Sequence, residues 1–153
     1  MSAEIYKFTK NELRFMSVIN DNIKAIFEDH KKGPRIFALA TADRKGIPNV
    51  VPIGFLWIAN DEEVWVIDNF LNKTLANIKA NPVAAVYAMG GENGKQCVQL
   101  KGKCVYETSG ADYESAVKMA HSVNEAYPAK GLVKIKIECA FDTTPGPNAG
   151  NRL

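Results

Sequence analysis

A chain of 153 residues has the length of one domain and is large enough to bury a modest core. Its 19 lysines and arginines against 17 aspartates and glutamates leave a formal charge of +2, with no basic run beyond Lys31-Lys32, so no electrostatic footprint points to nucleic acid. The apolar stretches are strand length and broken by charge, which argues against a membrane helix, and Met1-Ser2-Ala3-Glu4 reads as no targeting segment, so the expectation is a cytoplasmic single domain over 1–153.

In chain order, Thr9-Lys10-Asn11-Glu12 has the capping-box pattern, and Leu13, Met16, Ile19, Ile23, Ile26 and Phe27 recur every three or four residues. This predicts an amphipathic helix over about 10–31 that stops near Gly33-Pro34 and covers one end of a sheet. Ile36 to Thr41 reads as a strand, Ala42 to Gly46 as a turn and Pro48 to Ile58 as the second arm of a hairpin. Pro52 and Gly54 interrupt that second arm. Proline cannot donate to a ladder and glycine admits a close neighbour, so the pair marks either an edge bulge or a place where something approaches the backbone.

Asn60-Asp61-Glu62 turns the chain into the strand Val64 to Ile67, and after a short helix Pro82 to Tyr87 forms another. The loop Gly90 to Gly94 leads into a long strand from Gln96 to Tyr106, kinked at Gly102. Ala111 to Tyr127 reads as a helix with Tyr113, Ala116, Met119, Ala120 and Val123 on one face. In the last strand Val133, Ile135, Ile137 and Cys139 face one way and Lys134, Lys136 and Glu138 the other. The segment from about 143 to 153, rich in proline and glycine, is expected to be a flexible end or a chain laid along a surface or ligand.

The stretch Asp68 to Asn77 carries the chemistry. A β-branched run stops at Asp68-Asn69, and Leu75 with Ile78 and Ala76 with Ala80 give helical spacing before Asn81-Pro82. Lys73 and Thr74 then fall in the first turn, where a lysine opposes the helix dipole by about 0.3–1 kcal/mol. An anion at that point reverses the sign. Free amides, a hydroxyl and an ammonium together suit a phosphate ester. The plainer alternative is that Asn72 caps the helix and Lys73 is solvated.

Cys97, Cys104 and Cys139 lie in apolar strand patterns without CxxC spacing and read as reduced core residues. His30 and His121 lack companions at metal-ligand spacing, so no metal site is expected. No residue stands out as a dedicated acid, base or nucleophile, so no catalytic side chain is assigned; Asp68 reads better as a cap or as the positioner of an amide.

About six strands to three helices, joined by short turns, favour a mainly β, α+β fold: an antiparallel barrel with peripheral helices. Ala40-Thr41, the following Gly-x-Pro turn, the strand from Asn49 to Ile53, Asp68-Asn69 with Lys73-Thr74 and Asn77, Asn81-Pro82 and Leu100-Lys101-Gly102 together resemble the pyridoxamine 5′-phosphate oxidase-like FMN-binding family. The likeness spans roughly the central two-thirds of the chain and is greater to the small FMN-binding flavoproteins than to the oxidases.

The resemblance implies a split antiparallel β-barrel homodimer with FMN at the subunit interface. It implies further that Lys73 and Thr74 hold the phosphate and that Ile67, Asp68 and Asn69 run along the ribityl chain and phosphate. Val51, Pro52, Ile53 and Gly54 would border the flavin ring, where backbone amides tune its electronics. Gln99, or as a second choice Gln96, would reach in from the partner subunit, and the tail from Pro145 to Gly150 would close over the ring. Two features depart from the family pattern. Asn69-Phe70 stands where the small flavoproteins carry two glycines, and Arg152-Leu153 ends this chain without the C-terminal basic element that the oxidases use for the substrate phosphate, which points away from oxidation of pyridoxamine phosphate. The expected function is FMN-dependent oxidoreduction or electron transfer, with an F420- or haem-binding barrel and a non-enzymatic ligand-binding or structural barrel as the alternatives.

Overall fold

The computed structural model of the protein describes residues 17–28, 36–91 and 93–153. The elements follow in the order α1 (Asp21–Glu28), β1 (Ile36–Ala42), β2 (Pro48–Pro52), β3 (Leu56–Ile58), β4 (Glu63–Asp68), α2 (Lys73–Ala80), β5 (Val83–Gly90), β6 (Gln96–Glu107), α3 (Ala111–Val123) and β7 (Gly131–Asp142). The strands form one antiparallel sheet of seven, in the order β2-β1-β5-β6-β7-β4-β3. Its two edges, β2 and β3, are consecutive in the chain. Four Cα steps from Pro52 to Leu56 reach at most about 14 Å, so the sheet has curled until its edges nearly meet. The result is a split β-barrel of the α+β class.

Alternation builds the core. Phe37, Leu39 and Thr41 on β1 point inward in phase with Val86 and Ala88 on β5 and with Val98, Leu100 and Cys104 on β6. Each of the larger apolar side chains contributes about 1.5–3 kcal/mol on burial. Ile19, Ile23, Ile26 and Phe27 close this barrel interior from one end, with Phe27 stacked on Phe37 at 5.3 Å between ring centroids. A second cluster lies under α3, whose Ala116 and Ala120 pack closely on Ile67, Ala129 and Leu132. Lys134 Nζ fastens that helix, donating to Asp112 Oδ2 at 2.6 Å and Glu107 Oε1 at 3.1 Å. The two carboxylates hold the ammonium above the usual lysine range.

Several boundaries differ from those expected. Within the described part of the first helix, helical structure begins only at Asp21, where Asn20 Oδ1 accepts the Ile23 amide proton at 3.0 Å; Leu13, Met16 and His30 lie outside the described residues. The arm expected from Pro48 to Ile58 is two strands on opposite sheet edges, so Pro52 and Gly54 mark no bulge within a ladder but the point where the chain leaves the ladder. The helix expected to Tyr127 stops at Val123, and Met119 and Val123 are exposed instead of sharing its buried face.

On β7 the alternation slips by one residue, since Gly102 faces Ile137 while Lys101 faces Cys139. Glu138 is the extra residue of this bulge. Cys139 is therefore half-exposed and Ala140 takes the core position. The terminal segment turns back on the sheet: Leu153 N donates to Ala140 O at 2.9 Å, Asp142 N to Asn151 O at 2.9 Å, and Arg152 bridges to Phe141.

Candidate functional site

The turn from Asp68 to Lys73 is shaped by a buried carboxylate. Asp68 is 0 % exposed. Its Oδ1 accepts the Leu71 amide proton at 2.9 Å and its Oδ2 the Tyr106 hydroxyl proton at 2.8 Å, while Lys130 Nζ stands 3.6 Å from Oδ1. Tyr106 reaches this carboxylate across Gly131, where a Cβ would come within 2.3 Å of the ring's hydroxyl end. Burial, then the bond to Asp68, push the Tyr106 phenol well above the usual tyrosine range.

The linker from α3 to β7 is pinned to the same turn. Ala129, at φ 42°, donates its amide proton to Asn69 Oδ1 at 3.0 Å, and Lys130 N donates to Asp68 O at 2.8 Å. A non-glycine residue in that left-handed region persists only where its surroundings fix it. Here the pinning carries Tyr127 over the turn, its ring edge-on to Phe55 at 6.0 Å.

At the start of α2, Asn72 occupies the cap position without a side-chain cap hydrogen bond, so the plainer reading of a capped helix does not hold. Lys73 is exposed, whereas Thr74 is buried against β2. Asn49 Nδ2 donates to Thr74 Oγ1 at 3.1 Å and to Thr41 Oγ1 at 3.4 Å, and Asn77 Nδ2 donates to Thr41 Oγ1 at 3.1 Å. These bonds knit β1, β2 and α2 into one polar wall.

A cavity of about 460 Å³ lies between β2, the end of β4 and the start of α2. That volume is within the roughly 300–1,000 Å³ of small-molecule sites. Of the residues expected at the site, Val51, Pro52, Ile53, Gly54, Ile67, Asn69, Lys73 and Thr74 all line it. Asp68 does not line it, because its side chain turns inward to Tyr106. Gln99 does not either: it sits on the outer face of the sheet, in register with Tyr87 and Phe141. None of the tail residues borders the cavity.

The cavity also gathers Asn49, Phe55, Phe70, Leu71, Asn72 and Tyr127. Asn49 had a signal in the sequence, being a polar residue in phase with Val51 and Ile53. Tyr127 had none, since only the pinned linker brings it there. The lining is polar at the Lys73–Thr74 end and apolar at the Val51, Ile53 and Phe55 end. Phe70, 78 % exposed, stands at the mouth. The Ile53 amide proton is taken by Phe37 O at 3.1 Å, which leaves Gly54 as the next amide along this run. Among the described residues, no group of three or more metal-binding side chains occurs.

A split antiparallel barrel with a helix start beside its open seam defines a class of small α+β barrels. Within that class the affiliation is specific. The family profile of pyridoxamine 5′-phosphate oxidase matches residues 19–143, and the chain belongs to that family. The uncharacterized protein MJ0282 of Methanocaldococcus jannaschii is 32 % identical over 120 residues, covering 77 % of this chain and 79 % of that one. Among solved structures, HupZ of Group A Streptococcus is 26 % identical with a TM-score of 0.69, over 83 % of this chain and 95 % of that one. An FMN-binding protein of Syntrophomonas wolfei, at 18 % identity and a TM-score of 0.66 over 86 % of this chain and 91 % of that one, shares the fold.

Proposed function

We propose that this chain is an FMN-binding flavoprotein that passes electrons or hydride to or from a small molecule. The observation that carries this reading is one continuous cavity with an anion-suited end at Lys73 and Thr74 and an apolar end at Val51, Ile53 and Phe55. Such a cavity suits a phosphate ester of a planar heterocycle. When bound, FMN would supply the redox chemistry through its ring. The chain's own part is binding and exclusion of water. Lys73 and the Thr74 hydroxyl hold the phosphate, Ile67 and Leu71 flank the ribityl chain, and Phe55, Phe70 and Tyr127 screen the mouth. The Gly54 amide, next along the run after the Ile53 amide that bonds Phe37 O, is the backbone donor offered to the ring. Among the described residues no carboxylate or histidine lines the cavity, which accords with redox chemistry that needs no protein acid or base.

The alternatives within the fold fare less well on these residues. An F420 reductase and the haem-storage protein HutZ of Vibrio cholerae share the barrel. The longer acidic tail of F420 would want further cations beside Lys73. Lys101 and Lys103 instead lie on the outer sheet face, and Lys134 is engaged with Glu107 and Asp112. A haem would want an axial ligand, and no histidine among the described residues lines the cavity.

Pairing of two copies completes this reading. Part of the outer sheet face is a shallow hollow of small apolar residues, Ala40, Ala42, Val83 and Ala85, edged by Lys101 and Glu138, with Val50 68 % exposed beside it. Flat apolar faces of this kind call for cover. Gln99 lies on that face, so it would meet the cavity of a second copy and not its own.

The test is the visible spectrum of the purified protein, then titration of the ligand-free form with FMN. The expected result is uptake near one per chain, sedimentation as a dimer, and weakening by about tenfold or more in Lys73→Ala, as for loss of one charge-assisted phosphate contact. A flat spectrum with no FMN uptake overturns the reading.

A further inference from the structure

The hydroxyl of Thr74 has one proton and two lone pairs, and its use depends on the neighbour that faces it. Asn49 Nδ2 lies 3.1 Å from Thr74 Oγ1. An amide nitrogen can only donate, so Thr74 is the acceptor in this contact and keeps its own proton. The second Nδ2 proton of Asn49 faces Thr41 Oγ1 at 3.4 Å, a hydroxyl that also receives Asn77 Nδ2 at 3.1 Å. Both Asn49 protons are thus engaged within the wall, and Asn49 has none left for a ligand. Among the described residues, none accepts the Thr74 hydroxyl proton. The cavity it lines is the outlet that remains.

We infer that Asn49 is a positioning residue: by donating to Thr74 Oγ1 it turns the Thr74 proton into the cavity, where it meets the anionic oxygen beside Lys73. The assignment deepens the phosphate-ester reading and rests on it. Asn49 acts only through Thr74. The arrangement has a definite opposite. If the amide were turned over, its oxygen would take the Thr74 proton and its nitrogen would face the ligand directly. The two arrangements predict opposite dependence on Thr74.

The experiment is calorimetric titration of the full chain and of the Asn49→Leu, Thr74→Val, Thr74→Ser and Asn49→Leu/Thr74→Val variants. The probes are FMN, riboflavin and inorganic phosphate, with a thermal melt to establish that each variant is folded. Thr74→Val is expected to weaken FMN by roughly tenfold or more, the effect of losing a hydrogen bond to a charged group. Thr74→Ser, which retains the hydroxyl, should stay within about threefold of the parent. Asn49→Leu should weaken FMN several-fold, and the double variant should bind no more weakly than Thr74→Val alone. Riboflavin, which lacks the phosphate, should bind all of them alike.

A Thr74→Val variant that binds FMN like the parent, with the loss found in Asn49→Leu, would establish the opposite amide orientation and overturn the inference. Additive losses would also overturn it, since Asn49 would then touch the ligand itself. Equal losses of FMN and riboflavin would reduce both residues to props of the wall. If the parent takes up no FMN, the flavin reading fails by itself and the same series read with inorganic phosphate decides the role of Asn49: coupled losses support it, and no phosphate uptake by the parent sinks it.

Discussion

Replacing Asp68 by alanine perturbs the one buried carboxylate that organises the 68–73 turn. The change strands two donors, the Leu71 amide and the Tyr106 hydroxyl, which now sit 2.9 and 2.8 Å from carboxylate oxygens. A buried donor left without an acceptor costs about 1–3 kcal/mol, so the pair costs roughly 2–6 kcal/mol. Lys130 is half-exposed and can return to water, so losing its 3.6 Å contact adds little. For a domain of this size each kcal/mol lowers the melting temperature by about 2–4 °C, which places the fall at roughly 5–20 °C. Tyr106→Phe alone removes one donor from the carboxylate and should cost about 1–3 kcal/mol. The decisive measurement is a urea-denaturation cycle. In Asp68→Ala/Tyr106→Phe the stranded hydroxyl no longer exists, so the double variant should be more stable than the summed losses by about 1–3 kcal/mol. Losses that add to within about 0.5 kcal/mol would mean that Asp68 and Tyr106 stabilise the turn independently, and the account of a carboxylate-centred turn would be refuted.

Two further outcomes follow from single positions. Burial pushes the Cys104 thiol from 9.0 up to about 12; the folded chain therefore keeps a proton that the unfolded chain releases, so this contribution is whole below pH 9 and is lost as pH rises toward 12, by up to about 1.4 kcal/mol per pH unit. Urea midpoints at mildly and strongly alkaline pH should show the gap between the parent and Cys104→Ala narrowing as pH rises, and parallel profiles would count against the buried-thiol explanation. In Gly102→Ala the new Cβ would meet Lys136 O at 2.0 Å, a backbone atom, so the β6–β7 ladder must shift at a cost of about 1–3 kcal/mol. Gly54→Ala, with nothing within 4 Å of its Cβ, should leave thermal stability within about 0.5 kcal/mol of the parent, and equal losses at the two positions would contradict the close approach at Gly102.

How far the sequence spoke depended on the range of the cause. Strands β4 to β7 were legible because a β-branched run facing a core repeats every second residue, and the α2 start was legible because Asp68-Asn69 ends one such run within a few residues of a 3.6-residue pattern. The bulge at Glu138 was not, since a one-residue slip leaves the alternating letters of β7 unchanged and is decided by how Gly102 approaches the facing backbone. Pro52 and Gly54 announced an interruption, yet not that the chain would resume on the far edge of the sheet. That outcome depends on the whole curl. The same division holds in the cavity: Lys73, Thr74 and Val51 to Gly54 were expected there from local pattern and family likeness, whereas Tyr127 arrives through hydrogen bonds to residues about sixty positions earlier in the chain. Asp68 was expected as a cap or the positioner of an amide, and its Oδ1 does take the Leu71 amide proton. That its Oδ2 turns inward, away from the cavity, was not legible, because Tyr106 and Gly131 provide an interior partner that no local motif reveals.

The open seam explains why fold and site coincide. Closing the barrel would require β2 to pair with β3, but Asn49, Val51 and Ile53 direct their amides to β1, and of the alternate positions that face the seam Pro48 and Pro52 have no amide proton. The β2 edge therefore has little to offer across the seam. An open edge of this kind invites pairing with other chains unless something occupies it. In this molecule the seam is flanked by the one helix start among the described residues whose first residue is a lysine and whose cap residue makes no side-chain bond, so what is left unsatisfied there is positive. A ligand carrying an anion at one end and a flat apolar body at the other would relieve both at once, filling the apolar seam and neutralising the helix start. Its binding should accordingly stabilise the chain in proportion to its affinity. A thermal shift with FMN that exceeds the shift with inorganic phosphate alone would measure how much of that gain comes from the seam and how much from the helix start.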